Sequence, residues 1–161
     1  MTPVESTAPA APALDIAAWL NTPVPLSLWG LRGRVVVLHA FQMLCPGCVL
    51  HGVPQAQRIH DLFDPGDVQV IGLHTVFEHH DAMREASLKA FLHEFRVTFP
   101  VGIDRHAPGD TMPLTMAGYA MRGTPTLLLI DRAGRLRAHQ FGQADDMAVG
   151  AQIARLVAES G

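Results

Sequence analysis

Cys45 and Cys48 are the only thiols in the chain, and they stand in the sequence LCPGC. Four chemistries are open to such a pair: a metal clip, a structural disulfide, a peroxide-reducing centre, or a dithiol that exchanges with other disulfides. A tetrahedral zinc site takes four ligands, usually from two such pairs. Here there is one pair, and only His51 and His39 could extend it, as C-x2-C-x2-H with a distant fourth ligand. A chain of 161 residues that is 48% apolar fills a core without a covalent staple. The pair is therefore read as redox-active, with no metal.

A reactive dithiol needs a strand and a helix to position it. VVVLHAF, residues 35–41, is β-branched at its start and apolar almost throughout, which suits a buried central strand. A helical pattern runs from the cysteines to Phe63. Pro46 suits a first helical turn, and Pro54, further in, predicts a kink. Cys45 then precedes a helix N-terminus, and Cys48 lies one turn in. Unpaired N–H groups and the helix dipole favour a thiolate there. A free thiol of pKa about 8.5 is about 3% ionised at neutral pH, and about 2 kcal/mol of stabilisation makes it half ionised. Cys45, expected to be the more exposed, is the candidate nucleophile, and Cys48 is the candidate resolving thiol.

The rest of the chain supplies a frame. Residues 14–21 (LDIAAWLN) are a candidate edge strand, and VQVIGLH is a second buried strand. Residues 81–95 have helical spacing in Met83, Leu88, Phe91, Leu92 and Phe95. FPVGID is a short strand and PLTMAGYAM a short helix. TLLLID and RLRAHQF form a hairpin across the turn RAG, and residues 145–160 form an amphipathic helix. The order β-α-β-α-β-α-β-β-α predicts an α/β domain, a mixed sheet with helices on both faces. Residues 1–13, rich in Ala and Pro, are expected to be a disordered tail, and residues 14–161 one domain. The net charge of -3 and scattered Lys and Arg mark no nucleic-acid or membrane surface. No apolar run reaches the roughly 20 residues of a spanning helix. With no basic, apolar leader visible, a cytoplasmic address is expected; an exported protein with its leader trimmed would read the same.

Three blocks in order, LRGRVVVLHAF, CPGC and GTPTLLLIDRAGRLRAHQFG, resemble the thioredoxin superfamily. More specifically, they resemble TlpA/ResA-like thiol-disulfide oxidoreductases of the redoxin (AhpC/TSA) type. The resemblance covers residues 14–160 and implies a thioredoxin-like fold ending in a β-hairpin and a helix. It implies a cis proline opposite the dithiol, matched by Pro125. Thr124 before it would then pair its backbone with a bound substrate. The implied activity is exchange with a disulfide-bearing protein or small thiol and an external electron donor or acceptor, with no cofactor.

Two other family functions stay open. An antioxidant, peroxiredoxin-like peroxidase carries Thr or Ser three residues before its cysteine, where Gln42 stands. Copper-handling relatives carry CxxxC and a separate histidine, where this chain has Thr124 and Pro125. The chain also departs from its relatives. Leu44 replaces the usual aromatic before the first cysteine. His39 stands six residues before Cys45, where many relatives carry a carboxylate or amide; it either assists proton transfer or is a neutral core histidine. His51 stands where some reductive relatives carry a tuning Glu. Pro54 falls six residues after Cys48 rather than five, so the helix is expected to start or bulge differently. HTVFEHH, residues 74–80, is a His-rich loop at a strand end, where open α/β sheets place their sites. It is expected to be solvated, with His79 and His80 as possible metal ligands.

Overall fold

The most apolar segments of the chain lie side by side in one sheet. In the computed structural model, which describes residues 7–160, β2 (Val35–Phe41) and β5 (Thr126–Ile130) are buried throughout, and β3 (Val68–His74) nearly so. With β1 (Ile16–Leu20), β4 (Val101–Asp104) and β6 (Leu136–Phe141) they form a six-stranded sheet in the order β1-β4-β3-β2-β5-β6. β2, β3 and β4 run parallel, and β1, β5 and β6 join antiparallel, so the sheet is mixed. The segment LDIAAWLN supplies the edge strand β1.

Alternation along β2 divides the core. Val35, Val37 and Phe41 face α1 (Val53–Leu62), α2 (Glu85–Glu94) and α4 (Asp146–Ala158), which contribute Ile59, Leu88, Leu92, Ile153 and Leu156. Val36, Leu38 and Ala40 face the other way, against Met116 of α3 (Leu114–Gly118) and Tyr119. Helices thus cover both faces, and burying each large side chain contributes about 1.5–3 kcal/mol. Asp145 caps α4 by accepting from the Ala148 N–H at 2.9 Å.

Two expectations change. Residues 1–6 lie outside the described residues, but the Ala/Pro segment from residue 8 onward is not a disordered tail. The Pro9 carbonyl accepts from Leu136 N–H, Ala11 N–H donates to Gly134, and the Pro12 carbonyl accepts from the Tyr119 hydroxyl at 2.6 Å. The segment closes over the β5–β6 turn, so the domain begins before residue 14. The helix expected from residue 81 is broken. A 3-10 turn at His80–Ala82 is separated from α2 by Met83 and Arg84, and the Arg84 backbone is extended.

Candidate active site

β2 ends at Phe41, in the middle of the sheet, and delivers the chain to the CPGC turn. The Cys45 N–H donates to the Gln42 carbonyl at 3.1 Å, which closes that turn. A helix begins at Pro46, but its first full turn, Cys48–Gly52, is π-helical. There the Val53 N–H reaches back to the Cys48 carbonyl. This is the bulge implied by the displaced Pro54. The π-turn takes up the extra residue and leaves Pro54 in the first turn of α1, where its missing N–H is tolerated.

The two thiols are free and differ in access: Cys45 is half-buried and Cys48 fully buried. The Cys45 thiol donates to the Thr124 carbonyl at 3.5 Å, and its sulfur receives the Cys48 N–H at 3.3 Å. The Thr124–Pro125 bond is cis, as the resemblance implied. The Pro125 carbonyl is held by the Gly142 N–H at 2.8 Å, which ties this loop to the end of β6. Burial, reinforced by its hydrogen bond with Cys45, pushes the Cys48 thiol up to about 12. Leu44 at the mouth is 55% exposed, and Phe141 covers Gly123 beside the cis-proline loop.

His39 points from β2 to the same face as Phe41, stacked on its ring at 6.0 Å. It is buried, its Nε2 has no partner among the described residues, and burial lowers its pKa to about 4. A Cβ added at Gly52 would stand 2.6 Å from that Nε2, so the π-turn passes directly over the imidazole edge. His51, in the same turn, is exposed. A cavity of about 400 Å³ opens between α1, the cis-proline loop and the start of α4, lined in part by His39, His51, Gln55, Arg58 and Pro125. The site thus brings together Cys45, Cys48, Thr124 and Pro125, with His39 and His51 on its α1 side.

The loop after β3 is less solvated than its composition suggested. His74, Thr75 and Val76 are buried, and His74 Nε2 accepts from the Met43 N–H at 3.2 Å, bracing the approach to Cys45. His79 is exposed, and His80 stacks edge-on against His106. Among the described residues no group of three or more His, Cys, Asp or Glu is arranged to hold a metal. Gln42 makes contacts that no motif in the sequence announces. It is buried, and its side chain reaches both the 75–80 loop and Thr124.

A CxxC dithiol at a strand-to-helix junction, beside a cis proline that leads into the neighbouring strand of a mixed sheet, defines a thioredoxin-like redox protein. Known structures agree. The chain is 58% identical to a thioredoxin-like superfamily protein, SPOA0173, with a TM-score of 0.92, covering 96% of this chain and 99% of that one. It is 52% identical to a thiol-disulfide isomerase from Corynebacterium glutamicum, with a TM-score of 0.89, covering 93% and 98% of the two chains. Among curated proteins it is 27% identical over 144 residues to protein DipZ of Mycobacterium tuberculosis. That match takes in 88% of this chain but only 20% of DipZ, so the chain spans about a fifth of the relative's length. No family model matches the sequence. The chain belongs to the thioredoxin superfamily.

Proposed function

We propose that this thiol-disulfide oxidoreductase acts on disulfide-bearing proteins, with Cys45 attacking and Cys48 resolving. The observation that carries the assignment is the difference in access: one sulfur reaches the surface against the Thr124 carbonyl, and the other is sealed behind it. In the reducing direction the Cys45 thiolate attacks one sulfur of the partner disulfide, and the other sulfur leaves with the electron pair. Cys48 then loses its proton and attacks Cys45. The Cys45–partner bond breaks, and the partner's second thiolate leaves and is protonated. The partner gains two electrons and the dithiol loses two, which an external dithiol restores.

The Cys48 N–H aims a donor at the sulfur that carries charge during attack. The cavity beside Pro125 gives a partner side chain a place to enter. A protein partner is favoured over a small thiol by exposed Leu44 and Phe141, an apolar rim at the mouth of the site. Gln42 offers Cys45 no hydroxyl, which argues against a peroxidase role. Direction follows from potential. A cytoplasmic address would set the protein to reduce its partners, and an exported one to oxidise or isomerise them.

Trapping with Cys48→Ser tests the reading. A stable mixed disulfide between Cys45 and a partner protein is expected. Equal trapping by Cys45→Ser would reverse the order of the thiols, and no adduct from either variant would end the exchange reading.

A further inference from the structure

The dithiol lies on one edge of the sheet, and the strand order fixes what stands beside it. β2 and β3 are parallel, so both end at that edge. β5 is antiparallel to β2 and β6 to β5, so β5 starts there and β6 ends there. In the order β3-β2-β5-β6 the edge therefore presents the loop after β3, the CPGC turn, the cis-proline loop and the end of β6. The two outer positions carry opposite charges.

Arg122 stands at the β6 end. It is exposed, it lies two residues before Thr124, and its Cζ is 5.5 Å from the centre of the Phe141 ring. Phe141 is held in turn. Its backbone pairs with Thr126, and its ring would meet a Cβ added at Gly123 at 3.0 Å. The ring seats the guanidinium without supplying an acceptor oxygen. Arg122 takes part in none of the ion pairs among the described residues. Its planar fork of N–H donors, which matches a carboxylate, is left for a partner.

Glu78 stands at the β3 end. It is exposed, and its Oε1 accepts at 3.4 Å from Gln42 Nε2, the nitrogen that also reaches Thr124 Oγ1 at 3.5 Å. It too is outside those ion pairs. The charges on the α1 side of the site are already engaged: Arg58 pairs with Asp146 at 2.9 Å, and Asp145 caps α4. Neighbouring strands lie about 4.8 Å apart, so β3 and β6 are separated by roughly 14 Å, the reach of about four extended residues.

We propose that Arg122, seated on Phe141, and Glu78 form a two-sign clamp that selects partner segments with an acidic residue on one side of the reactive cysteine and a basic residue on the other. The proposal deepens the reading of the chain as an oxidoreductase of protein disulfides and rests on it. The partner carboxylate accepts from the Arg122 guanidinium, and the partner cation donates to Glu78. Pairing with the Thr124 backbone gives the segment one direction, so one order of charges fits. The reverse order sets like charges together at both ends, and the same two residues reject it.

The experiment is stopped-flow reaction of the reduced protein with three short peptides. Each has one cysteine in a disulfide with thiopyridine, a neutral leaving group. One carries Glu before the cysteine and Lys after it, one carries the reverse order, and one carries Gln at both positions. Cys45 bonds to the peptide sulfur, the peptide–thiopyridine bond breaks, and the thiopyridine leaves with the electron pair and is read by absorbance. At low salt the two charged peptides should differ in rate by roughly threefold to tenfold, with the neutral peptide between them. The difference should vanish at about 1 M salt. The exchange Arg122→Glu with Glu78→Arg should reverse the preference. Arg122→Met keeps an apolar stem over Phe141 and should shrink it.

Equal rates for the two charged peptides in the parent, or a preference that the charge exchange leaves unchanged, overturns the proposal. Failure of all three peptides to release thiopyridine would instead overturn the exchange reading on which it rests.

Discussion

Lowering the pH from 7 to 5 should destabilise the reduced protein, and two buried histidines set the size of the loss. His39 and His74 lie on adjacent strands, either side of Phe41, and burial lowers both to about 4 from an ordinary 6.5. His74 Nε2 also accepts from the Met43 N–H, so it must stay unprotonated to keep that bond. As pH falls below about 6.5 the unfolded chain binds a proton at each histidine while the folded chain does not. Stability present above that pH is therefore lost progressively down to about pH 4. A pKa lowered by one on folding corresponds to about 1.4 kcal/mol, so each histidine removes about 2 kcal/mol between pH 7 and pH 5, about 4 kcal/mol together. That is a large part of the 5–15 kcal/mol of a typical domain. Burial raises Asp104 and so acts in the opposite sense at the lower end of the range. Comparing variants with the parent removes its contribution. Urea unfolding at pH 7, 6 and 5 should show His39→Gln and His74→Gln each flattening the pH dependence by about half. A parent whose stability is flat over this range, or variants with the parent's slope, would refute the claim that these rings are buried and neutral.

Gly52→Ala should lower Tm by about 3–10 °C, from about 1–3 kcal/mol of overpacking. The new Cβ meets the His39 ring, which Phe41 prevents from moving away. His39→Ser in the same chain should recover part of the loss, and an additive double variant would show that the clash is elsewhere. Asp145→Ala removes the cap on α4 and should cost about 1 kcal/mol, read as a Tm shift of about 2–4 °C with no change in exchange rate. Substoichiometric iodoacetamide should label Cys45 ahead of Cys48, as mass mapping would reveal, because only Cys45 reaches solvent. Peroxide consumption should be far slower than disulfide exchange, because Gln42 turns its side chain to Phe77 and Thr124 and supplies no hydroxyl; stopped-flow rates that match exchange would reverse this.

The central strands were legible because their signal is local. VVVLHAF, VQVIGLH and TLLLI are apolar on both faces, and only the middle of a sheet buries both. The dithiol and the cis proline were legible because each is carried by a short motif. What escaped depends on distant backbone. The Ala/Pro segment is held by its own carbonyls and N–H groups against a hairpin turn more than a hundred residues away, and no side chain advertises such a contact. Met83 misled the start of α2: it is buried as an apolar residue at helical spacing should be, but from a turn outside the helix. The contacts of Gln42 were invisible for the same reason as those of the Ala/Pro segment. They depend on where residues 77, 78 and 124 arrive in space.

The displaced proline joins the two kinds of information. An uninterrupted α-helix from Pro46 would carry Pro54 in its interior, facing the Leu50 carbonyl with no N–H to offer, at a cost of roughly 3 kcal/mol. The π-turn removes the conflict by absorbing one residue, and α1 starts afresh with Pro54 in its first turn. The same π-turn holds Gly52 over His39 and against Pro125, where no larger side chain fits. The π-turn therefore bears on three things at the site: the start of α1, the glycine against the imidazole, and the wall behind the cis proline. The histidine that replaces the family's usual carboxylate or amide belongs to this arrangement. A charged group beneath Gly52 would be buried with no partner, whereas an imidazole lowered to about 4 stays neutral there across the working pH range. His39 thus fills the space under the π-turn as a neutral ring.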